Sequence, residues 1–255
     1  MKQAMVFAAG LGTRLKPLTD TMPKALVPVG EKPLLWHVLT KLREAGFERV
    51  VVNVHHFAQQ IVDYLKQHDF GMDVRISDES SQLLETGGGI KKARELFDPT
   101  SPVLIHNVDI LSNADLARLY EMATGDALLL VSPRNTKRYL LFDDDSRLQG
   151  WTNIETGELR GPVKSLIPNP GEPMPNAQTS SLDHYRKSAF SGIHVFSPSL
   201  FPLMDAWPER FGIIDFYLAT CADHRIMGYE KGDLRLMDVG KIETLDQAEQ
   251  FISKL

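Results

Sequence analysis

The stretch Ala4-Met5-Val6-Phe7-Ala8-Ala9-Gly10-Leu11-Gly12-Thr13-Arg14 opens the chain with an apolar run that breaks at a glycine-rich turn. A run this short, bounded by glycine, reads as a buried strand over Ala4 to Ala8 feeding a loop. Pro33 then opens a helical stretch, Leu34 to Ala45, with apolar residues at Leu35, Val38, Leu39 and Leu42 and a stop at Gly46. The alternation continues. Val50 to Val54 predicts a strand, Ala58 to Leu65 a helix, Asp73 to Ser77 a strand, Gly88 to Phe97 a helix, and Val103 to Asn107 a strand that leads to Asp109. Strands and helices alternating at this spacing imply right-handed crossovers and a mostly parallel sheet covered on both faces. In such an α/β sheet, ligands bind beyond the carboxyl ends of the strands. Gly10 to Arg14, Glu85 to Gly89 and Asn107 to Asp109 all fall on that side.

The second half is less regular. Leu128 to Val131, Tyr139 to Phe142, Leu148 to Trp151 and Phe190 to Phe196 read as strands separated by polar turns, as in an antiparallel lobe. Leu234 to Val239 predicts a final strand and Thr244 to Ile252 a closing helix. Residues Gly161 to Asp183 are rich in Pro, Gly, Ser and Asn and show no period; a stretch of this kind is either an active-site lid or partner contact, or a disordered insertion.

At 255 residues, 43% hydrophobic and 24% charged, the composition fits one ordinary soluble domain. The net charge of -5 gives no basic footprint for nucleic acid. Cys221 is the single cysteine, so a reducing, cytoplasmic setting is expected. No apolar run approaches the roughly 18 residues of a membrane span, and the strand beginning at Ala4 leaves no room for a signal peptide. Neither nucleic acid nor membrane is expected as a partner.

Glycines at positions 10 and 12 let backbone N–H groups approach a phosphate closely. The loop is neither of the two common nucleotide fingerprints. Leu15 stands where a dinucleotide loop has its third glycine, and no Gly-Lys-Ser/Thr follows as in a P-loop. It carries two cations instead, Arg14 and Lys24, on a stretch stiffened by Pro17, Pro23 and Pro28. Arginine grips phosphate as a fork, and lysine sets a point charge beside it.

Ala8-Ala9-Gly10-Leu11-Gly12-Thr13-Arg14 followed by Pro17, Thr19, Pro23-Lys24 and Pro28 resembles the signature of the sugar-1-phosphate nucleotidylyltransferases. The resemblance continues through Gly87-Gly88-Gly89, Asn107-Val108-Asp109, Phe190-Ser191-Gly192 and Asp238-Val239-Gly240, nearly the whole chain. It implies a Rossmann-like core with a mixed, mostly parallel sheet and a smaller antiparallel sugar-binding lobe. Residues 1–255 would then form one domain, with a nucleotide-binding half over 1–110 and a sugar-binding half over 111–255. It also implies that Ala8, Ala9, Gly10, Leu11, Gly12, Thr13 and Arg14 hold a triphosphate and that Lys24 assists at the α-phosphate. Mg²⁺ would lie between Asp109 and Asp238, with Arg14, Lys24 and Asp109 as the catalytic group. Val108 departs from the glycine the family commonly has there.

The run Leu84-Glu85-Thr86-Gly87-Gly88-Gly89 looks like that of uridylyltransferases acting on N-acetylmuramate 1-phosphate in cell-wall recycling. By that likeness Glu79, Glu85, Thr86 and Gly87 lie on the nucleotide side, UTP is the favoured triphosphate, and Asn107, Ser191 and Gly192 face a sugar 1-phosphate. Mannose- or heptose-1-phosphate guanylyltransferases are the neighbouring alternative, and a monomer or homodimer is expected. Two other classes compete. Asp143-Asp144-Asp145 contains the Asp-x-Asp of metal-dependent glycosyltransferases, although three acids before Ser146 more often make a hairpin turn. An inactive nucleotide-sugar-binding homologue typically loses the lysine or the aspartates, and here all are present. His55-His56 reads as structural or surface, since no acidic or Cys partner lies at ligand spacing. Trp36 and Trp151 read as packing residues.

Overall fold

The computed structural model describes residues 1–166, 182 and 184–255. Strand β1 (Gln3–Phe7) is paired on both sides, and the sheet is ordered around it. A hairpin of β2 (Pro28–Val29) and β3 (Lys32–Pro33) precedes α1 (Leu34–Glu44). Next, β4 (Arg49–Val54) pairs parallel with β1, and after α2 (Ala58–Gln67), β5 (Asp73–Asp78) pairs parallel with β4. The chain then crosses by α3 (Glu85–Ala93) to the far side of β1, where it forms β6 (Val103–Asn107). In the order β5-β4-β1-β6 the progression reverses at β1, so a crevice opens between the carboxyl ends of β1 and β6. Phe7, the last residue of β1, lies in register with Asn53 on one side and Asn107 on the other.

The remaining elements are β7 (Ile110–Ser112), α4 (Leu116–Met122), β8 (Ala127–Ser132), β9 (Arg138–Phe142), β10 (Leu148–Asn153), β11 (Leu159–Arg160), β12 (Arg186–Phe196), α5 (Phe201–Met204), α6 (Ile213–Thr220), β13 (Ile226–Glu230), β14 (Leu236–Asp238) and α7 (Leu245–Ile252). Strand β12 joins the two halves. Its end, Ile193–Phe196, runs antiparallel to β6, and its start, Arg186–Ser188, runs antiparallel to β9. The antiparallel strands β9 to β11 therefore extend one mixed, ten-stranded sheet.

Two expectations need correcting. The predicted strand Leu234 to Val239 shortens to β14 and pairs with β7, outside the main sheet. The irregular second half also holds α4, α6 and β13, none of which the sequence reading found. Helix α6 shows no amphipathic period because Ile213, Phe216, Tyr217 and Leu218 are all buried. Apart from its ends, the aperiodic Gly161 to Asp183 stretch lies outside the described residues. Among the described residues no helix is long and apolar enough to cross a membrane.

Side chains alternate across the sheet, giving a core on each face. Ala4, Val6, Val50 and Val52 pack with Leu35 and Leu39 of α1, Ile61 of α2, Leu116 of α4 and Ala248 of α7. Met5 and Val51 pack on the other face with Ile90 of α3, Phe201 of α5 and Phe216 of α6.

Burial also sets an acid limit on stability. His106 and His194 are about 1% exposed, and burial lowers their pKa values from 6.5 to about 4 and about 3. Both are neutral in the fold, and the unfolded chain takes up their protons first. Their contribution is complete above pH 6.5 and is lost as pH falls toward the folded values, by about 1 kcal/mol per pH unit per histidine. Neither ring nitrogen of His194 has a hydrogen-bond partner among the described residues. Replacing His194 with phenylalanine is expected to remove about half of the stability lost between pH 7 and pH 5. Denaturant titration at the two pH values measures this, and an equal loss in both proteins would rule it out.

Candidate functional site

The glycine loop leaves β1 at the crevice and is held in place by a buried asparagine. Asn53 Oδ1 accepts the backbone N–H of Ala8 at 2.7 Å and of Ala9 at 3.3 Å. Its amide donates to Glu79 Oε1 at 2.8 Å. Glu79 Oε2 accepts the N–H of Leu84 at 3.3 Å, which ties the loop to the start of α3. Glu79 is fully buried; burial raises its carboxyl above the usual value, against the lowering effect of the bonds from Asn53 and Leu84. Glu79, expected on the nucleotide side, lies at the cavity wall and supports the loop. Asn53 was missed. Its only signal was one polar residue inside Val50-Val51-Val52-Asn53-Val54.

Beyond this support the loop turns at Gly12, whose φ is 63°. Thr19 Oγ1 donates to the Gly12 carbonyl at 2.8 Å, and a Cβ at Gly12 would lie 2.8 Å from Thr19 Cγ2. Only glycine fits both the left-handed backbone and that contact. The turn delivers Lys24 on a short helical segment, Lys24–Leu26, anchored by buried Ala25.

A cavity of about 410 Å³ occupies the crevice. Its walls include Ala8, Ala9, Gly10, Lys24, Glu79, Glu85, Thr86, Asn107 and Asp109 from the predicted set, together with Phe7, Asn53, Leu83 and Val108. Gly10 and Leu11 are exposed, and so are Thr13 and Arg14, while Gly12 is half-buried. Glu85 is at the rim in a left-handed conformation, φ 62°, and Arg210 binds its carboxylate at 2.8 Å. Thr86 turns its hydroxyl to the backbone N–H of Ile213 at 2.9 Å. Gly87 does not line the cavity. A Cβ there would lie 2.3 Å from the Phe211 ring, and one at Gly88 would lie 2.0 Å from the Glu209 carbonyl. The triple glycine is thus a seat for the segment before α6 as well as a helix start.

Asp109 and Asp238 meet because β7 pairs with β14. The N–H of Val239 donates to the Asp109 carbonyl at 2.8 Å, and Asp238 lies in register with Ile110. Lys24 Nζ pairs with Asp109 Oδ2, with the two side chains only 11% and 17% exposed. A Cβ on Gly240 would lie 2.7 Å from both Arg14 Nη2 and Asp238 Oδ1, so Arg14 and Asp238 crowd the same point. Burial raises the Asp238 carboxyl, the Asp109 charge raises it further, and Lys24, Arg14 and Arg134 oppose the shift. Four residues predicted from distant stretches, Arg14, Lys24, Asp109 and Asp238, therefore form one charged cluster beside the cavity. Two adjacent carboxylates, one of them disfavoured by burial, suit a divalent cation that takes one or two carboxylates plus phosphate and water oxygens. Among the described residues no group of three or more His, Cys, Asp or Glu is gathered for a metal, so substrate oxygens and water would complete the shell.

Ser191 and Gly192 lie within β12. The Ser191 hydroxyl is buried with no hydrogen-bond partner among the described residues. Gly192 packs on Asn107, where a Cβ would lie 2.8 Å from Asn107 Nδ2. Asp143 closes the β9–β10 hairpin by accepting the Arg147 N–H at 2.8 Å and Gln149 Nε2 at 2.7 Å. The acidic triplet is a turn, as its spacing suggested. His55 Nδ1 bonds the Glu79 carbonyl at 2.7 Å, a structural role.

The chain is 50% identical over 111 residues to an N-acetylmuramate alpha-1-phosphate uridylyltransferase of Caulobacter vibrioides, covering 42% of this chain and 46% of that one. It is 29% identical over 136 residues to a probable mannose-1-phosphate guanylyltransferase of Oryza sativa subsp. japonica, covering 51% and 38%. The matches thus span about half the length of the first relative and less of the second. The crystal structure of HddC from Yersinia pseudotuberculosis superposes with a TM-score of 0.75 at 20% identity, covering 99% of this chain and all of that one, a likeness of fold. A family model described as nucleotidyl transferase matches residues 3–254, and the chain belongs to that family.

Proposed function

We propose that this chain transfers a nucleotidyl group from a nucleoside triphosphate to a sugar 1-phosphate, releasing pyrophosphate, with UTP and N-acetylmuramate 1-phosphate as its substrates. The observation that carries the reading is the convergence of Arg14, Lys24, Asp109 and Asp238 beside a cavity walled by the glycine loop. A sugar-phosphate oxygen attacks the α-phosphorus, the bond to the bridging oxygen breaks, and pyrophosphate leaves with the electron pair. No side-chain base is required, because a phosphate monoester with a second pKa of about 6 is already mostly ionised near pH 7. The residues act by position and charge. The N–H groups of the glycine loop and Arg14 hold the triphosphate, and Lys24 is set beside the α-phosphate. Asp109 and Asp238 would hold Mg²⁺, which when bound supplies positive charge against the triphosphate.

Two features favour the uridylyl assignment: the Leu84 to Gly89 run, and the 50% identity to a uridylyltransferase against 29% to a guanylyltransferase. A place in cytoplasmic cell-wall recycling follows from the same assignment. The test is pyrophosphate release from UTP, GTP, CTP, dTTP and ATP, each paired with N-acetylmuramate, mannose, glucose and N-acetylglucosamine 1-phosphates. UTP with N-acetylmuramate 1-phosphate is expected to give the highest kcat/KM. Activity confined to GTP would replace this reading with that of a guanylyltransferase.

A further inference from the structure

A second cavity, about 430 Å³, lies on the sugar side between β9, β10, β12 and α6. Arg134, Arg138 and Arg160 line it, and among the described residues Glu158 and Asp215 are its acids. Both acids are engaged by one cation. Arg160 Nε pairs with Glu158 at 2.7 Å, its Nη1 pairs with Asp215 at 3.1 Å, and its guanidinium stacks on Trp151 at 4.6 Å. Arg134 Nη2 donates to the Phe190 carbonyl at 2.9 Å. Among the described residues neither Arg134 nor Arg138 has a carboxylate partner. Among the described residues the cavity therefore presents two guanidiniums without a paired carboxylate beside apolar surface from Leu140, Phe190 and Ile214.

It is also next to the reaction site. Phe190, which Arg134 binds, leads within two residues to Gly192, and Gly192 packs on Asn107 in the wall of the first cavity. A sugar whose 1-phosphate reaches the aspartate pair would extend its ring toward these arginines.

We infer that Arg134 and Arg138 form a carboxylate subsite that selects an acidic sugar 1-phosphate over its neutral counterparts. The inference rests on the proposed substrate. N-acetylmuramate differs from N-acetylglucosamine by a 3-O-lactyl ether, which carries one carboxylate and one methyl group. Unpaired guanidiniums beside apolar side chains match both parts, and guanidinium–carboxylate pairing is planar and charge-assisted. A neutral sugar would leave those cations without a partner, so the subsite discriminates by what the wrong substrate lacks.

Arg138 is exposed at the rim, so its substitution has little packing to disturb. The experiment measures kcat/KM for N-acetylmuramate 1-phosphate and N-acetylglucosamine 1-phosphate with UTP, in the wild type, Arg138→Gln and Arg138→Lys. In Arg138→Gln the ratio between the two sugars is expected to fall about 10- to 100-fold. The fall is expected to come mainly through KM for the acidic sugar, and Arg138→Lys is expected to restore part of it. Arg134→Gln, checked for folding by its thermal melt, is expected to shift the ratio in the same direction. A ratio unmoved in both glutamine variants, with N-acetylmuramate 1-phosphate still a good substrate, overturns the subsite and leaves the substrate assignment standing. A wild type that turns over only neutral sugars overturns both.

Discussion

Replacing Lys24 with alanine is expected to lower kcat by about 10²- to 10³-fold, the effect of removing a preorganised charge from a site where negative charge develops. The Lys24 side chain is 11% exposed, so its charge acts with little screening by water. Its backbone is fixed independently of the ammonium group, by the Val27 N–H bond to the Lys24 carbonyl and by burial of Ala25 and Val27. The variant should therefore keep its fold. What it loses is the largely buried ion pair with Asp109, whose carboxylate is left without that partner at a cost of about 3 kcal/mol or less. Wild-type turnover in Lys24→Ala would remove lysine from the reaction, and a thermal melt run alongside separates lost chemistry from lost structure.

Asp238→Asn carries the second large expected effect, with turnover and stability moving in different directions. The folded carboxyl titrates above its usual 3.8, through burial first and the Asp109 charge second. An acid with a raised folded pKa imposes a penalty that is absent below its unfolded pKa and complete above its folded one. The uncharged asparagine removes that penalty wherever the carboxylate is ionised. Stability without added metal is therefore expected to hold or rise, while turnover falls by about 10²-fold or more as magnesium binding weakens. Melts with and without MgCl₂ and UTP, set beside turnover, read both effects. Destabilisation together with an unchanged magnesium requirement would make Asp238 a structural residue only.

The first half of the fold was legible because its strands and helices carry clean apolar periods. The site was legible where residue type alone implied chemistry, as with the cations after a glycine turn. What stayed hidden depends on tertiary context. Nothing local shows that Asp238 reaches Asp109, since that depends on a three-residue strand leaving the main sheet to pair with β7. Asn53 and Asn107 flank Phe7 only through strand register. Helix α6 escaped notice because a buried helix loses the polar face that gives it a period, and the five-residue β13, with glycine at its centre, carries no clear strand signal. Gly87 reads as a residue on the nucleotide side and Gly88 as a helix start, yet their lack of side chains also seats Phe211 and Glu209. Pairing of Arg160 with both Glu158 and Asp215, which leaves Arg134 and Arg138 without a paired carboxylate among the described residues, is likewise a fact of three dimensions.

The central claim is that this cleft directs a sugar phosphate onto the α-phosphorus of a triphosphate. The most direct measurement follows UTP labelled separately at its α- and β-phosphorus in the presence of N-acetylmuramate 1-phosphate and Mg²⁺. The account predicts α-label in a nucleotide sugar and β-label in pyrophosphate, formed in equal amounts. Label leaving as UDP, or a nucleotide sugar bound with no pyrophosphate formed, would contradict it.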